Sequence, residues 1–256
     1  MFPPTVPRWL RTAPLPASEP LPQGADTARY VPQPPPPVPD YGVAVLPPLG
    51  VDRTGIIPFA GRLLPLPRGN WQELVLGRSG GDVPGQAMLL ARIERGHLTG
   101  LLLAAAPTPV AGAAAPVSGA AACFTPDAIA HQIITTNAAR DPTARECWTL
   151  ASYDPAKPDE MMRGGFDRLD HMGIPVPEHL LALRYLRGDA TGWLTVLVLL
   201  PETLPETLPE TGAGTVEASR RLEAWMRRFA PMLHKGFENT LTAHDLTPAI
   251  ARDPDG

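Results

Sequence analysis

The chain is poor in lysine and has no long apolar run. Only two of its 22 basic residues are lysine, Lys157 and Lys235, and its formal net charge is −4. Nucleic-acid surfaces normally carry a clustered basic excess, so we predict no nucleic-acid partner. A membrane helix needs about 18 or more apolar residues in succession, and no run approaches that length. We therefore predict a soluble protein with no transmembrane span.

Several motifs of cofactor and metal chemistry are also missing. The sequence has no G-x-G-x-x-G dinucleotide loop, no phosphate loop ending in Gly-Lys-Ser/Thr and no C-x-x-C pair. We therefore predict no catalytic, cofactor-binding or metal-binding residues, and no cofactor. Whether the protein is an enzyme stays open at this stage.

Proline, by contrast, is abundant and unevenly distributed. Of the 34 prolines, 15 lie in the first 50 residues, and the run Pro32–Pro39 favours an extended polyproline helix. We predict a disordered or extended proline-rich arm at residues 1–55, a single domain at residues 56–241 and a flexible C-terminal tail at residues 242–256. The arm is interpreted as a spacer or tether; the alternative is a ligand for a partner domain with an aromatic groove.

The N-terminal segment shows no export signal. Arg8 and Arg11 are not followed by the apolar stretch of a signal peptide, so the default prediction is a cytoplasmic protein. The periplasm or secretion is the alternative. The preference for arginine over lysine, together with abundant alanine, proline and glycine, is typical of bacteria with GC-rich genomes.

Six segments have the composition of β-strands. Leucine, valine, threonine, isoleucine and tryptophan are frequent in them, and turn-forming residues bound several of them. The strongest is Trp193–Leu200, which we predict to be a central strand. The six segments are residues 71–76, 86–93, 98–106, 147–153, 181–187 and 193–200.

Three further segments have helical spacing. The first is Thr125–Asn137, which begins with a Thr-Pro-Asp cap, and the second is Pro158–Met172. The third starts at Thr215 and carries an apolar stripe of Leu222, Trp225, Met226, Phe229, Met232 and Leu233. We therefore predict the α+β class. It would have a mostly antiparallel sheet of about five or six strands, two central helices and a C-terminal amphipathic helix packed on one face.

The C-terminal helix has two interpretations, because arginines flank its apolar stripe. We favour packing of the stripe on its own sheet; the alternative is docking on a membrane surface or on a protein partner. The partner is unknown, and a protein partner would bind through the proline-rich arm or this helix.

Cys123 and Cys147 are the two cysteines of the chain, so they can form one pair. In an oxidising compartment, closing a loop of about 25 residues would stabilise the fold by about 3 kcal/mol. In a reducing cytoplasm they would be two buried apolar thiols. The sequence leaves both alternatives open.

Asp167, Asp170, His171 and His179 lie close together in the sequence. Such a group suggests a metal site or an acid–base pair, but the H-E-x-x-H pattern of a helical metal site is missing. We favour a set of unrelated surface residues. The predicted function is a non-enzymatic binding or assembly domain tethered by the proline-rich arm. The alternative is an enzyme of unrecognised type that uses these four residues.

Three short motifs carry a family resemblance. They are Trp225–Pro231 with Gly236-Phe237, the early Gly69-Asn70-Trp71 and the mid-chain Cys147-Trp148. With these the chain resembles a loose set of bacterial proteins of unknown function that are often exported. The resemblance covers roughly residues 60–241 and leaves out the arm. It implies no activity and no catalytic residues, and it raises the expectation of export.

Two predicted hairpins share a sequence pattern at their turns. The first reads Arg92-x-x-Arg95-Gly96-x-x-Thr99-Gly100, and the second reads Arg184-x-x-Arg187-Gly188-x-x-Thr191-Gly192. The hypothesis is that the sheet is built from two related hairpins with the same turn geometry.

Overall fold

Ten strands and three helices make up the part of the chain that the computed structural model describes, namely residues 51–79, 85–107, 123, 127–134, 145–189, 192–202 and 213–253. The strands are β1 (Asp52–Arg53), β2 (Ile56–Phe59), β3 (Arg62–Pro65), β4 (Trp71–Ser79), β5 (Gly85–Glu94), β6 (His97–Pro107), β7 (Ala130–Ile134), β8 (Arg145–Tyr153), β9 (Leu180–Asp189) and β10 (Gly192–Pro201). The helices are α1 (Glu160–His171), α2 (Ala213–Phe237) and α3 (Pro248–Ala251).

Eight of these strands form one antiparallel sheet, in the spatial order β1-β4-β5-β6-β10-β9-β8-β7. β2 and β3 pair separately as a small hairpin. Strands that are consecutive in the chain also pair in space, β4 to β6 on one side of the sheet and β7 to β10 on the other. The two groups meet where β6 pairs with β10. The sheet is therefore two local meanders joined at one seam.

Each face of the sheet has its own apolar core, because side chains along a strand alternate between the faces. On one face, α2 covers the larger core, which includes Trp71, Trp148, Tyr185, Val196, Trp225 and Phe229. On the other face, α1 packs against β4 and β5 through Met162 and Leu169. The apolar stripe of α2 is thus buried in its own domain. Within the described residues, no helix has the length and apolar character needed to cross a membrane.

The predicted fold class is wrong. The main sheet has eight strands, and it does not carry two central helices. All six predicted strands are present as β4, β5, β6, β8, β9 and β10, and two of the predicted helices are present as α1 and α2. The sequence does not predict β1, β2, β3 and β7, because segments of two to five residues carry too little periodicity.

The predicted helix Thr125–Asn137 is the main source of the error. Residues 130–134 instead form β7, which pairs antiparallel with β8; residues 124–126 and 135–137 lie outside the described part. Ile129 and Ile133 are four positions apart, a spacing that places them on one face of a helix or of a strand. Isoleucine is β-branched and favours strands, so the pairing with β8 agrees with the local preference.

The domain also extends beyond both predicted boundaries. β1, which lies in the segment assigned to the arm, pairs with the start of β4. Residues 242–253, predicted to be part of a flexible tail, include α3 and the buried side chain of Asp253. Arm residues 1–50, and residues 108–122 and 203–212, lie outside the described residues.

The two hairpins are not related in the predicted register. Arg95 and Gly96 form the turn between β5 and β6, with φ angles of 53° and 81°. A two-residue turn with positive φ at both positions matches the twist of the flanking strands. In the second hairpin, Arg187 and Gly188 instead lie inside β9, paired with β10. The hypothesis of matching turns in this register is therefore wrong.

A different alignment of the hairpins does bring out a shared feature. The last paired residue before each turn is Glu94 in β5 and Asp189 in β9. Counting back two positions from these residues gives Arg92 and Arg187, and both arginines are buried. Each hairpin therefore places one arginine in the interior close to its turn, and each arginine needs a buried acceptor.

Candidate functional site

The four residues of the predicted acid–histidine group lie on the surface. Asp167, Asp170 and His171 are exposed on α1, and His179 is exposed just before β9. The Nδ1 atom of His171 lies 2.6 Å from the carbonyl oxygen of Asp167, which is a contact within one helix turn. Among the described residues, no three His, Cys, Asp or Glu side chains are grouped so as to hold a metal ion.

The predicted cysteine pair is brought together. The sulfur atoms of Cys123 and Cys147 are 1.99 Å apart and their Cα atoms 5.8 Å apart, so the structure contains a disulfide. Both cysteines are buried, and they pack with Leu186 of β9. The bond ties the chain ahead of β7 to the strand with which β7 pairs.

A group of five polar residues lies where β8 and β9 meet the end of α2. We name it the Glu146 cluster, and its members are Glu146, Tyr185, Arg187, His234 and Glu238. Glu146 and Arg187 are directly opposite each other in the β8–β9 register, and Tyr185 lies two residues before Arg187 on the same face. His234 and Glu238 are one helical turn apart at the end of α2.

The Glu146 carboxylate is the centre of this cluster, and it is only 2% exposed. Its Oε1 atom accepts a hydrogen bond of 2.8 Å from the Tyr185 hydroxyl. Its Oε2 atom accepts one of 2.9 Å from Arg187 Nη1 and lies 2.8 Å from His234 Nδ1. The acceptor positions of this carboxylate are thus filled by neighbours of the same chain, and it is not placed to act as a general base.

Glu238 closes the cluster on its outer side. Its Oε1 atom lies 2.9 Å from Arg187 Nη2 and 3.1 Å from His234 Nε2. Burial raises the pKa of Tyr185 well above its usual value, and the neighbouring Glu146 carboxylate raises it further. Tyr185 therefore remains a neutral hydrogen-bond donor across the physiological pH range. The cluster is built to connect α2 with the sheet, because every member is a partner of another member.

The other buried arginine, Arg92, binds the C-terminal segment. Its Nη1 atom lies 2.6 Å from Asp253 Oδ2, and both side chains are almost wholly buried. Further hydrogen bonds run from Arg92 to Thr99 Oγ1, to the Thr99 carbonyl and to the Arg68 carbonyl. The guanidinium also lies 5.3 Å from the centre of the Trp71 ring. This group is a structural clamp with its donors satisfied by protein atoms.

The sequence contained a weak signal for both buried groups and one misleading motif. Glu146 lies two positions before Trp148 and Arg92 two positions after Leu90, so each charge shares a strand face with a large buried apolar residue. Residues 77–81 match the G-x-S-x-G nucleophile pattern at Ser79. Ser79 ends β4, and the next element is the antiparallel strand β5. The strand–turn–helix context that the nucleophile requires is therefore missing.

The outermost strand carries a different kind of surface. We name it the β7 edge. It comprises the backbone groups of residues 129–134 that point away from β8, together with the outward-facing side chains of Ile129 and Ile133. Ile129 is 46% exposed and Ile133 is 49% exposed. On the opposite face of β7, Ala130 and Ile134 pack against the larger core, and Gln132 accepts a hydrogen bond of 3.1 Å from Trp148 Nε1. The inward face thus fixes the strand and leaves the two isoleucines outside.

Comparison with known proteins adds no assignment. This chain matches no protein-family profile, no curated protein sequence and no solved structure.

Proposed function

We propose that the domain acts in binding or assembly without catalysis, carried on the proline-rich arm of residues 1–50, and that the β7 edge is its contact surface. The observation that carries the proposal is the exposure of Ile129 and Ile133 on an outermost strand. An edge strand presents backbone N–H and C=O groups that can pair with another chain. Exposed apolar side chains beside such an edge add buried area to that pairing.

The distribution of polar groups supports the same function. The deeply buried ion pairs, Glu146 with Arg187 and Arg92 with Asp253, are closed by hydrogen bonds within the chain. Apart from Arg187 Nε, every buried nitrogen and oxygen atom of these four side chains has a partner in the chain, which favours a role in packing over one in a reaction. Large apolar side chains on the described surface are few: Ile129, Ile133 and Val216 are the exposed ones. Two of these three lie on the β7 edge.

The competing function, an enzyme that uses Asp167, Asp170, His171 and His179, has less support. A catalytic acid and base need to reach the same proton, usually within about 3 Å directly or through one water. All four side chains are exposed, and three of them project from a surface helix. No observation on the described residues places them around a shared cavity.

Complementation of a strain that lacks the gene tests the two functions against each other. The full-length chain is reintroduced as wild type, as Ile133→Lys, as Val216→Lys and as the quadruple alanine variant at positions 167, 170, 171 and 179. We expect the quadruple and Val216→Lys variants to restore the wild-type phenotype, and Ile133→Lys to fail to do so although it folds by circular dichroism. Failure of the folded quadruple variant together with success of Ile133→Lys would refute the proposal.

A further inference from the structure

The β7 edge has the sequence of a strand that pairs with itself. Residues 129–133 read Ile-Ala-His-Gln-Ile, so an isoleucine stands two positions on each side of His131. In an antiparallel pair of identical strands with the two-fold axis at His131, residue 129 of one chain is opposite residue 133 of the other. Directly opposite residues lie on the same face of the sheet. Each exposed isoleucine would then contact an exposed isoleucine of the second copy.

From this we infer that a second copy of the chain docks on the β7 edge, antiparallel and centred on His131, so that two eight-stranded sheets become one continuous sheet. The inference rests on the proposed function and names its partner. The contact is isologous, since the same patch serves on both copies, and such two-fold contacts close without forming fibres.

The lack of charge on this strand favours a second copy. Edge strands commonly avoid self-pairing by carrying lysine or other charged side chains, or a proline. Residues 129–134 contain no Asp, Glu, Lys, Arg or Pro. Two copies therefore meet without acidic, lysine or arginine side chains opposite each other. The antiparallel direction also continues the arrangement of the rest of the sheet.

The chain's own proline-rich arm is a poorer occupant. It holds 15 prolines in 50 residues, and proline has no N–H with which to donate to a strand ladder. A strand needs donors at alternate positions, and the run Pro34–Pro37 offers none. The arm therefore suits a tether better than a ninth strand.

The oligomeric state of the full-length chain tests the inference. We expect light scattering coupled to size-exclusion chromatography to show a dimer, and Ile133→Lys to weaken dimerisation by roughly two- to thirtyfold, since two cross-strand isoleucine contacts are lost. Val216→Lys, which adds the same charge at an exposed site outside β7, is the matched control and should leave the dimer unchanged. A monomeric wild type, or an equal loss in Val216→Lys, would overturn the inference.

Crosslinking tests the register separately. His131→Cys places two thiols opposite each other across the axis, at a Cα separation of about 4.5–5.5 Å that a disulfide can span. Gln132→Cys places each thiol opposite Ala130 of the other copy, so the two thiols are too far apart to bond. We expect mild oxidation to give a covalent dimer for the first variant only. Equal crosslinking of both variants would exclude this register. If the wild-type chain is monomeric but Ile133→Lys still fails to complement the deletion strain, the partner is not a second copy and the proposed binding function stands.

Discussion

Replacing Glu146 by glutamine should destabilise the domain far more than an equivalent change on the surface. Glu146 is buried and contacts three donors, Tyr185, Arg187 and His234. Removing one partner of a buried ion pair typically costs about 3–5 kcal/mol, because the other charge stays buried. Here Arg187 keeps its contact with Glu238, and glutamine retains one acceptor oxygen. We therefore expect a loss of about 2–3 kcal/mol in the free energy of unfolding.

Urea unfolding followed by tryptophan fluorescence measures this loss, since Trp71, Trp148 and Trp225 are buried. Glu223→Gln is the matched control. Glu223 pairs with the exposed Arg227 one turn along α2, and surface pairs of this kind contribute at most about 1 kcal/mol. If Glu146→Gln lowers the free energy of unfolding no more than Glu223→Gln does, the Glu146 cluster does not govern stability.

The double variant Glu146→Leu with Arg187→Met separates charge from packing. Replacing both members of a buried pair by apolar residues is often neutral or stabilising, because no unpaired charge remains. We expect the double variant to recover only part of the loss seen in Glu146→Gln, because the buried Tyr185 hydroxyl then loses its acceptor. A double variant less stable than the single one would show that Arg187 contributes chiefly through its other contacts.

Three further predictions concern the helix–sheet contact, the disulfide and a buried hydroxyl. In Gly236→Ala the new Cβ would lie 2.1 Å from a β3 carbonyl oxygen, so we expect the free energy of unfolding to fall by about 1–3 kcal/mol. Gly164→Ala has room for its Cβ and should raise the free energy of unfolding by up to about 1 kcal/mol. Stabilisation in both variants would contradict the close approach of α2 to β3. The intact mass should rise by two hydrogen atoms on reduction of Cys123–Cys147, and an unchanged mass would mean that the thiols are free. Burial, aided by two nearby aspartates, raises the pKa of Tyr153 to about 12. Its contribution to stability is therefore full below about pH 10 and is lost as the pH rises through about 12. Tyr153→Phe should remove one late step from the ultraviolet titration of tyrosinate.

The strands could be predicted where a long apolar run determines the local structure. β9 and β10 are continuous enough that turn residues and composition identify them. β7 has five residues and an isoleucine spacing shared by helix and strand, so its state depends on pairing with β8. The helix prediction at this segment fails because tertiary pairing supplies the information that local periodicity lacks.

The buried polar groups could not be predicted for a related reason. Glu146 meets Arg187 across 41 residues and His234 across 88 residues. Nothing in the local sequence specifies such partners; it indicates only that a charge lies two positions from a large apolar residue. The identity of the cysteine pair follows from the sequence, because two cysteines have one pairing to consider, whereas the formation of the bond does not. Spacing patterns therefore predict local structure, whereas the acceptors of buried polar groups that lie far apart in the chain can be identified only from the fold.

The clamp between Arg92 and Asp253 has a consequence for the order of events in folding. It joins residues 161 positions apart, whereas the β5–β6 and β9–β10 hairpins join near neighbours. Contacts between distant segments form late, because closing a long loop costs conformational entropy before the contact can stabilise it. Until Asp253 docks, Arg92 has no buried carboxylate to offset its removal from water, because its other acidic neighbour, Glu94, is exposed and 3.9 Å away, so β5 cannot pack fully into the core. We therefore expect the hairpins to form first and the contact between Arg92 and Asp253 to form last. Unfolding should begin with the release of residues 242–253.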